Sequence, residues 1–156
     1  QVYIAVPLAM LGLMYTIIGK HLTLAMFILI WLSDTGAFCV GSLIGRHKLF
    51  ERISPKKSWE GFIGGLVFCL AASALLAWLF PAEVKGLSML QMLGFGAVVC
   101  VAGTWGDLIE SMIKRSLGVK DSGNLLPGHG GILDRIDSLL LVTPAVALYM
   151  VCLLLL

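Results

Sequence analysis

The sequence predicts an all-α integral membrane protein, a polytopic helical bundle with about five transmembrane helices. Three observations carry this expectation. Hydrophobic residues make up 59% of the chain and charged residues only 13%, against roughly 25% charged residues in soluble domains. Mean hydropathy is +0.98. Apolar stretches near the ~20 residues that a helix needs to cross a bilayer recur along the chain between short polar segments. No repeat, low-complexity run or soluble domain interrupts them, so residues 1–156 are expected to form a single transmembrane domain.

The first span, Val2–Ile18, has Pro7 and Gly12 as its irregularities and reads as packing. His21, in the turn after it, reads as a solvated interface residue. The second span, Leu22–Gly45, carries Asp34 near its centre between Ser33 and Thr35. A carboxylate inside a membrane costs about 2.5–3.5 kcal/mol on insertion scales and therefore faces a polar cavity or a partner. Two readings follow: a protonated or hydrogen-bonded structural Asp, or one that faces substrate or metal in a water-filled cavity open to the cytosol. Ala37, Gly41 and Gly45 recur every four residues, the spacing that lets helix backbones approach closely.

Next comes a basic loop, RHKLFERISPKKSWEGFIGG. Ser54 as N-cap with Pro55 in the first turn predicts a helix start there. Lys56 and Lys57 then fall where the helix dipole disfavours cations unless an anion is bound. A phosphate site and a plain anchor on lipid headgroups are the competing readings. Trp59 either stacks on a base or anchors at the interface, and Glu60 either pairs with a lysine or holds a metal.

The third span, Gly61–Phe80, opens with Gly61 and Gly65 four residues apart, a close-packing face towards the second. The fourth, Met89–Ile109, is lined by Gly94, Gly96, Gly103 and Gly106 and leads to Asp107. Trp105 reads as core or interface. The fifth, Leu139–Leu156, has a kink candidate at Thr143–Pro144. Cys39, Cys69, Cys100 and Cys152 sit singly in apolar spans, with neither metal-ligand nor disulfide spacing, and read as small buried hydrophobes.

The formal charge of +2 says little, but its placement says more. Nine of the eleven Lys/Arg are Arg46, Lys48, Arg52, Lys56, Lys57, Lys114, Arg115, Lys120 and Arg135; only Lys20 and Lys85 lie in the intervening loops. Basic loops stay cytoplasmic, so the N-terminus and both basic segments are expected on the cytosolic side, with the C-terminus opposite.

The second basic segment, Ser111 to Asp137, is SMIKRSLGVKDSGNLLPGHGGILDRID. On helices, residues three apart share a face about 5–6 Å apart at Cβ. Asp107 with Glu110, and Asp134 with Asp137, would then each present two carboxylates in one direction. Acid clusters suit a hard cation such as Mg²⁺, while Lys, Arg and free backbone N–H groups suit phosphate. Together they suggest a site for a metal–polyphosphate complex at a membrane surface.

The same segment resembles the signature of the phosphatidate cytidylyltransferases, or CDP-diacylglycerol synthases, without departure. It runs from Ser111 and Lys114–Arg115 through Lys120–Asp121 to His129–Gly130–Gly131 and Asp134–Arg135–x–Asp137. SPKKSWEG resembles a second motif of that family, and Asp34 followed by small residues matches another feature of it. Family members carry further helices ahead of this region, so the resemblance covers their C-terminal half. The chain begins with Gln and shows no cleavable signal pattern, which reads as a fragment or split product.

The resemblance implies a nucleotidyltransferase of phospholipid biosynthesis that makes CDP-diacylglycerol and pyrophosphate from CTP and phosphatidate, with residues 1–156 as its catalytic domain. On this reading Asp107, Asp134, Asp137 and, with less weight, Asp34 and Asp121 hold Mg²⁺, as one ion or two. Lys114, Arg115, Lys120 and Arg135 hold phosphates, with Ser111, Lys56 and Lys57 also at the substrates. Gly128, Gly130 and Gly131 let the backbone approach an oxyanion. His129 donates to a phosphate, protonates the leaving group, or merely orders the turn. The expected partners are CTP, phosphatidate and the bilayer, with a homodimer as an option and no nucleic acid. The expected location is the bacterial inner membrane or its equivalent, with the active site facing the cytoplasm. A CTP-dependent lipid-alcohol kinase would use the same acids and cations, and would release CDP. A transporter, suggested by Asp34 and the glycine-rich helices, would move solute without consuming nucleotide.

Overall fold

The computed structural model describes residues 2–84, 86–119, 131 and 133–155, without the side chain of Arg135. The elements are α1 (Val2–Ile17), α2 (Lys20–Ile44), β1 (Lys48–Phe50), β2 (Ser54–Ser58), α3 (Trp59–Leu79), α4 (Met89–Ser116) and α5 (Leu133–Leu155). Among the described residues four stretches are long and apolar enough to cross a membrane: Lys20–Ile44, Trp59–Leu79, Met89–Ser116 and Ile136–Leu155. Helix α1 is as apolar but has 16 residues, about 24 Å at 1.5 Å per residue against a hydrocarbon core of about 30 Å. Helix α4, with 28 residues, is about 42 Å long. Its last turns, with Lys114 and Arg115, therefore extend past a membrane core.

Helix α2 lies along α3, α3 along α4, α4 along α5, and α1 along α5. The core between them is built on Met26, Leu29, Phe95, Val99, Val142 and Val146. The glycine spacing read from the sequence does what it predicts. A Cβ at Gly61 would sit 2.8 Å from the Ala37 carbonyl oxygen, and one at Gly65 would sit 2.8 Å from that of Ser33. Real Cβ atoms avoid such distances, so the α2–α3 approach requires glycine. Replacing Gly61 by valine is expected to separate the two helices and cost about 1–3 kcal/mol by overpacking, read as a lower thermal midpoint in detergent.

The helix start expected at Ser54–Pro55 is not observed. Residues Ser54–Ser58 form strand β2, paired antiparallel with β1, Lys48 opposite Ser58 and Phe50 opposite Ser54. The helix begins four residues later, where the Ser58 hydroxyl accepts the Gly61 N–H at 3.1 Å. Lys56 and Lys57 thus lie on a strand and not in a helical first turn. The hairpin is clipped to α3 by Glu60, which accepts the backbone N–H groups of Arg46 and His47 at 3.2 Å and meets His47 Nδ1 at 2.6 Å. Among the described residues Glu60 thus pairs with His47 and with no lysine. Ser58→Ala is expected to cost about 1 kcal/mol through the lost cap, checked by the same thermal midpoint.

Cys69 and Cys100 are buried as expected, whereas Cys39 and Cys152 are exposed on the outer faces of their helices; all four thiols are free. Trp105 lies at the surface, edge-on to Phe50 of the hairpin at 5.8 Å. Trp59 is half-exposed and edge-on to Phe62.

Candidate active site

The hairpin, the C-terminal half of α4 and the start of α5 meet at one end of the bundle. Lys57 fixes the hairpin to α4: its Nζ lies 2.7 Å from Asp107 Oδ2 and donates to the Thr104 carbonyl at 3.0 Å. The α1–α2 turn and the α3–α4 loop lie together elsewhere, lining one recess through Gly19, His21, Ala82 and Glu83. The described parts of both basic segments therefore share an end of the molecule, as the charge pattern requires.

Two recesses meet at Asp34. The first, about 270 Å³, is lined by Lys56, Lys57, Ser58, Thr104 and Asp107 together with Asp34. The second, about 540 Å³, has Asp34, Asp134, Asp137 and Ser138 as its polar wall and apolar residues such as Phe27, Ile28 and Trp31 beyond. Asp34 lies within electrostatic reach of Asp107 and Lys57, and Asp137 within reach of Asp107 and Asp34. Asp34 lines both recesses and has no hydrogen bond or ion pair with another described residue.

Close approach of α4 to α5 sets the spacing of the other acids. A Cβ at Gly106 would lie 2.9 Å from the Asp137 carbonyl oxygen and 3.1 Å from Ser138 Cα. Asp107, the next residue, is thereby brought beside Asp137. The Ser111 hydroxyl, one turn on, donates to Asp107 Oδ1 at 3.2 Å and so steadies the carboxylate.

Asp134 and Asp137 share a recess, as their spacing predicts. Asp107 and Glu110 do not share a direction. Three residues turn a helix through about 300°, leaving about 60° between side chains, and the neighbours on the two sides differ. Asp107 faces the hairpin lysine, whereas Glu110 is 1% exposed and pairs with Lys114 at 2.6 Å. Lys114 also donates to Asp134 Oδ1 at 2.5 Å, and Asp134 Oδ2 accepts the Gly131 N–H at 2.7 Å. Arg115 is exposed and makes no ion pair among the described residues. Lys120, Asp121, Gly128, His129 and Gly130 lie outside the described residues, as does the side chain of Arg135.

The donors suit a divalent cation in kind: Asp34, Asp107, Asp134 and Asp137 offer only hard carboxylate oxygens, which fit Mg²⁺. Among the described residues no three acidic, His or Cys side chains stand close enough to share one ion. Among the described residues Lys57 pairs with Asp107 and Lys114 with Asp134, while neither Asp34 nor Asp137 forms an ion pair with a lysine. Sequence reasoning had no means of finding the Thr104 carbonyl, a backbone group, or the inward turn of Glu110, whose only signal is Lys114 four residues on.

Comparison with known proteins gives the family. Residues 1–153 match the family model described as the cytidylyltransferase family. Over 126 residues the chain is 48% identical to proteins named phosphatidate cytidylyltransferase from Staphylococcus aureus (strain COL) and Staphylococcus haemolyticus. The protein of that name from Staphylococcus epidermidis is 45% identical over 126 residues. Each alignment covers 81% of this chain and 47% of the relative, so the chain spans about half the length of the curated relatives it matches. Four apolar helices of spanning length, acids gathered at one end of them and a family match over nearly the whole chain lead to one statement: this is a membrane protein of the cytidylyltransferase family.

Proposed function

We propose that this chain forms the membrane-embedded catalytic part of a phosphatidate cytidylyltransferase, joining CTP to phosphatidate to give CDP-diacylglycerol and pyrophosphate. The observation that carries the proposal is the meeting of two unlike recesses at Asp34. The recess under the hairpin, with Lys56 and Lys57, suits a triphosphate. The recess between α2 and α5 is polar at Asp34, Asp134 and Asp137 and apolar beyond, which suits a lipid with an anionic head. A water-soluble and a lipid substrate would thus approach one point from two sides.

An anionic phosphate oxygen of the lipid attacks the α-phosphorus of CTP, and the bond from that phosphorus to the bridging oxygen breaks as pyrophosphate leaves. Phosphate monoesters have a second pKa near ~6, so the nucleophile is already charged and needs no strong base. The protein's task is to bring polyanions together and stabilise the charge that builds on the leaving group. Lys56 and Lys57 supply cations from the hairpin, Lys114 supplies another from α4, and Asp34, Asp107, Asp134 and Asp137 would hold Mg²⁺. When bound, Mg²⁺ neutralises phosphate charge and fixes geometry. The basic segments at one end favour an active site on the cytoplasmic face.

The test is to incubate the purified full-length protein with phosphatidate, Mg²⁺ and each nucleoside triphosphate, then identify the lipid product and the released anion. CDP-diacylglycerol with pyrophosphate is expected from CTP. Release of CDP with a phosphorylated lipid would replace the reading by a kinase, and an absence of nucleotide consumption would end it. Lys57→Ala is expected to raise KM for CTP by about tenfold, the loss of one charge-assisted phosphate contact of ~1.4 kcal/mol. Unchanged kinetics for both substrates would leave this lysine as a clip for the hairpin alone.

A further inference from the structure

We propose that Glu110 is a positioning residue whose buried carboxylate holds the Lys114 ammonium, and through it the Asp134 carboxylate, beside the reacting phosphates. The inference rests on the transfer proposed above. Among the described residues Glu110 is one of the largest fully buried side chains and the acidic one of that group. Its cation is Lys114, one helical turn on, at 2.6 Å from Oε2. Lys114 in turn reaches across to α5 and meets Asp134 at 2.5 Å. Asp134 then receives the Gly131 N–H at 2.7 Å, Gly131 being the last residue of the glycine-rich sequence. One chain of contacts therefore runs from the interior of α4 through the first turn of α5 to the segment that bears PGHGG.

Stability does not call for this arrangement. A buried ion pair gains little over well-packed apolar side chains, because two charges must be taken out of water. What it gives is a fixed location. An ammonium has three N–H donors; among the described residues Lys114 donates to Asp134 and meets Glu110 as an ion pair, which leaves donor capacity for an anionic oxygen. The Tyr3 hydroxyl of α1 is also buried, has no hydrogen-bond partner among the described residues, and lies within electrostatic reach of Glu110 and Asp137. Helices α1, α4 and α5 thus all bring polar groups to this lysine's surroundings.

Two measurements on the full-length protein in detergent test the proposal. In the first, lysine acetylation by a soluble acylating reagent is followed residue by residue with mass spectrometry. Lys114 should be protected in the wild type and acetylated about tenfold faster in Glu110→Gln, because the ammonium loses the partner that confines it. In the second, Glu110→Gln should lower kcat by about 10²-fold, as a misplacement near 1 Å does, with KM for CTP within about twofold. Adding Glu110→Gln to Lys114→Met should then cost nothing further, since the effect runs through the lysine. Should Glu110→Gln fail to fold, Glu110→Asp replaces it and should give intermediate acetylation. Unchanged acetylation of Lys114, or losses that multiply in the double variant, would overturn the proposal. If the wild type makes no lipid nucleotide, the transfer reading falls, while the acetylation experiment still decides the role of Glu110.

Discussion

Asp137→Asn is expected to lower transfer by about 10²–10³-fold, the range for removing one group aimed at developing charge, while the bundle stays folded. Asparagine keeps the shape of the side chain and an oxygen for the Ser138 N–H, which Asp137 Oδ1 accepts at 2.6 Å. What disappears is a negative charge that shares a recess with Asp34 and Asp134 and lies within reach of Asp107. Like charges repel, so the variant should unfold at the same temperature as the wild type or higher. Activity and stability are thus expected to move apart. Labelled CTP incorporation into lipid and thermal unfolding in the same detergent measure the pair. Wild-type-like turnover at ordinary Mg²⁺ would remove Asp137 from the site.

Gly106→Val is the second large effect, and it touches no substrate. The glycine Cα already faces the Asp137 carbonyl and Ser138 Cα, where a Cβ would lie 2.9 Å and 3.1 Å away. Both neighbours are backbone and cannot swing aside, so α4 must withdraw from α5. Overpacking of this kind costs about 1–3 kcal/mol. Because Asp107 and Asp137 are carried on the two helices that separate, the loss of activity should reach about 10²-fold, as for a misplacement near 1 Å. Gly12→Val, at a position with nothing within 4 Å of a Cβ, serves as the control and should behave as wild type. A Gly106→Val protein as stable and active as that control would show that the close approach does not set the spacing.

These contrasts show where the sequence was informative. The small-residue spacing at Ala37, Gly41, Gly61 and Gly65 is a local pattern with one physical use, and the α2–α3 contact follows it. Asp34 was legible because a carboxylate in an apolar span needs polar surroundings. The start of α3 was not legible. Ser54–Pro55 and Ser58 both offer a cap, and the choice is made by pairing with Lys48–Phe50, a contact between separate stretches. Ser58 also lacks the Glu or Gln three residues on that would have marked it, since Gly61 stands there. Ser88 has its Gln91, and α4 starts at Met89 as expected. The fate of Glu110 depended on which helix lay against each side of α4, which spacing along one helix does not encode.

The glycine contacts divide the bundle in a way that bears on the chemistry. Asp34 travels with the zipped pair α2–α3, whereas Asp107, Asp134 and Asp137 travel with α4–α5, closed at Gly106. The seam between these halves runs through the α3–α4 contact, where Gly96 faces Ser73 and the Cys69 thiol donates to the Gly96 carbonyl at 3.1 Å. Gly96 stands 11 residues before Asp107 on the same helix, about 16 Å away along the axis. A single methyl group there would act as a wedge in the middle of the membrane, tuning the gap between carboxylates at its edge without meeting either substrate.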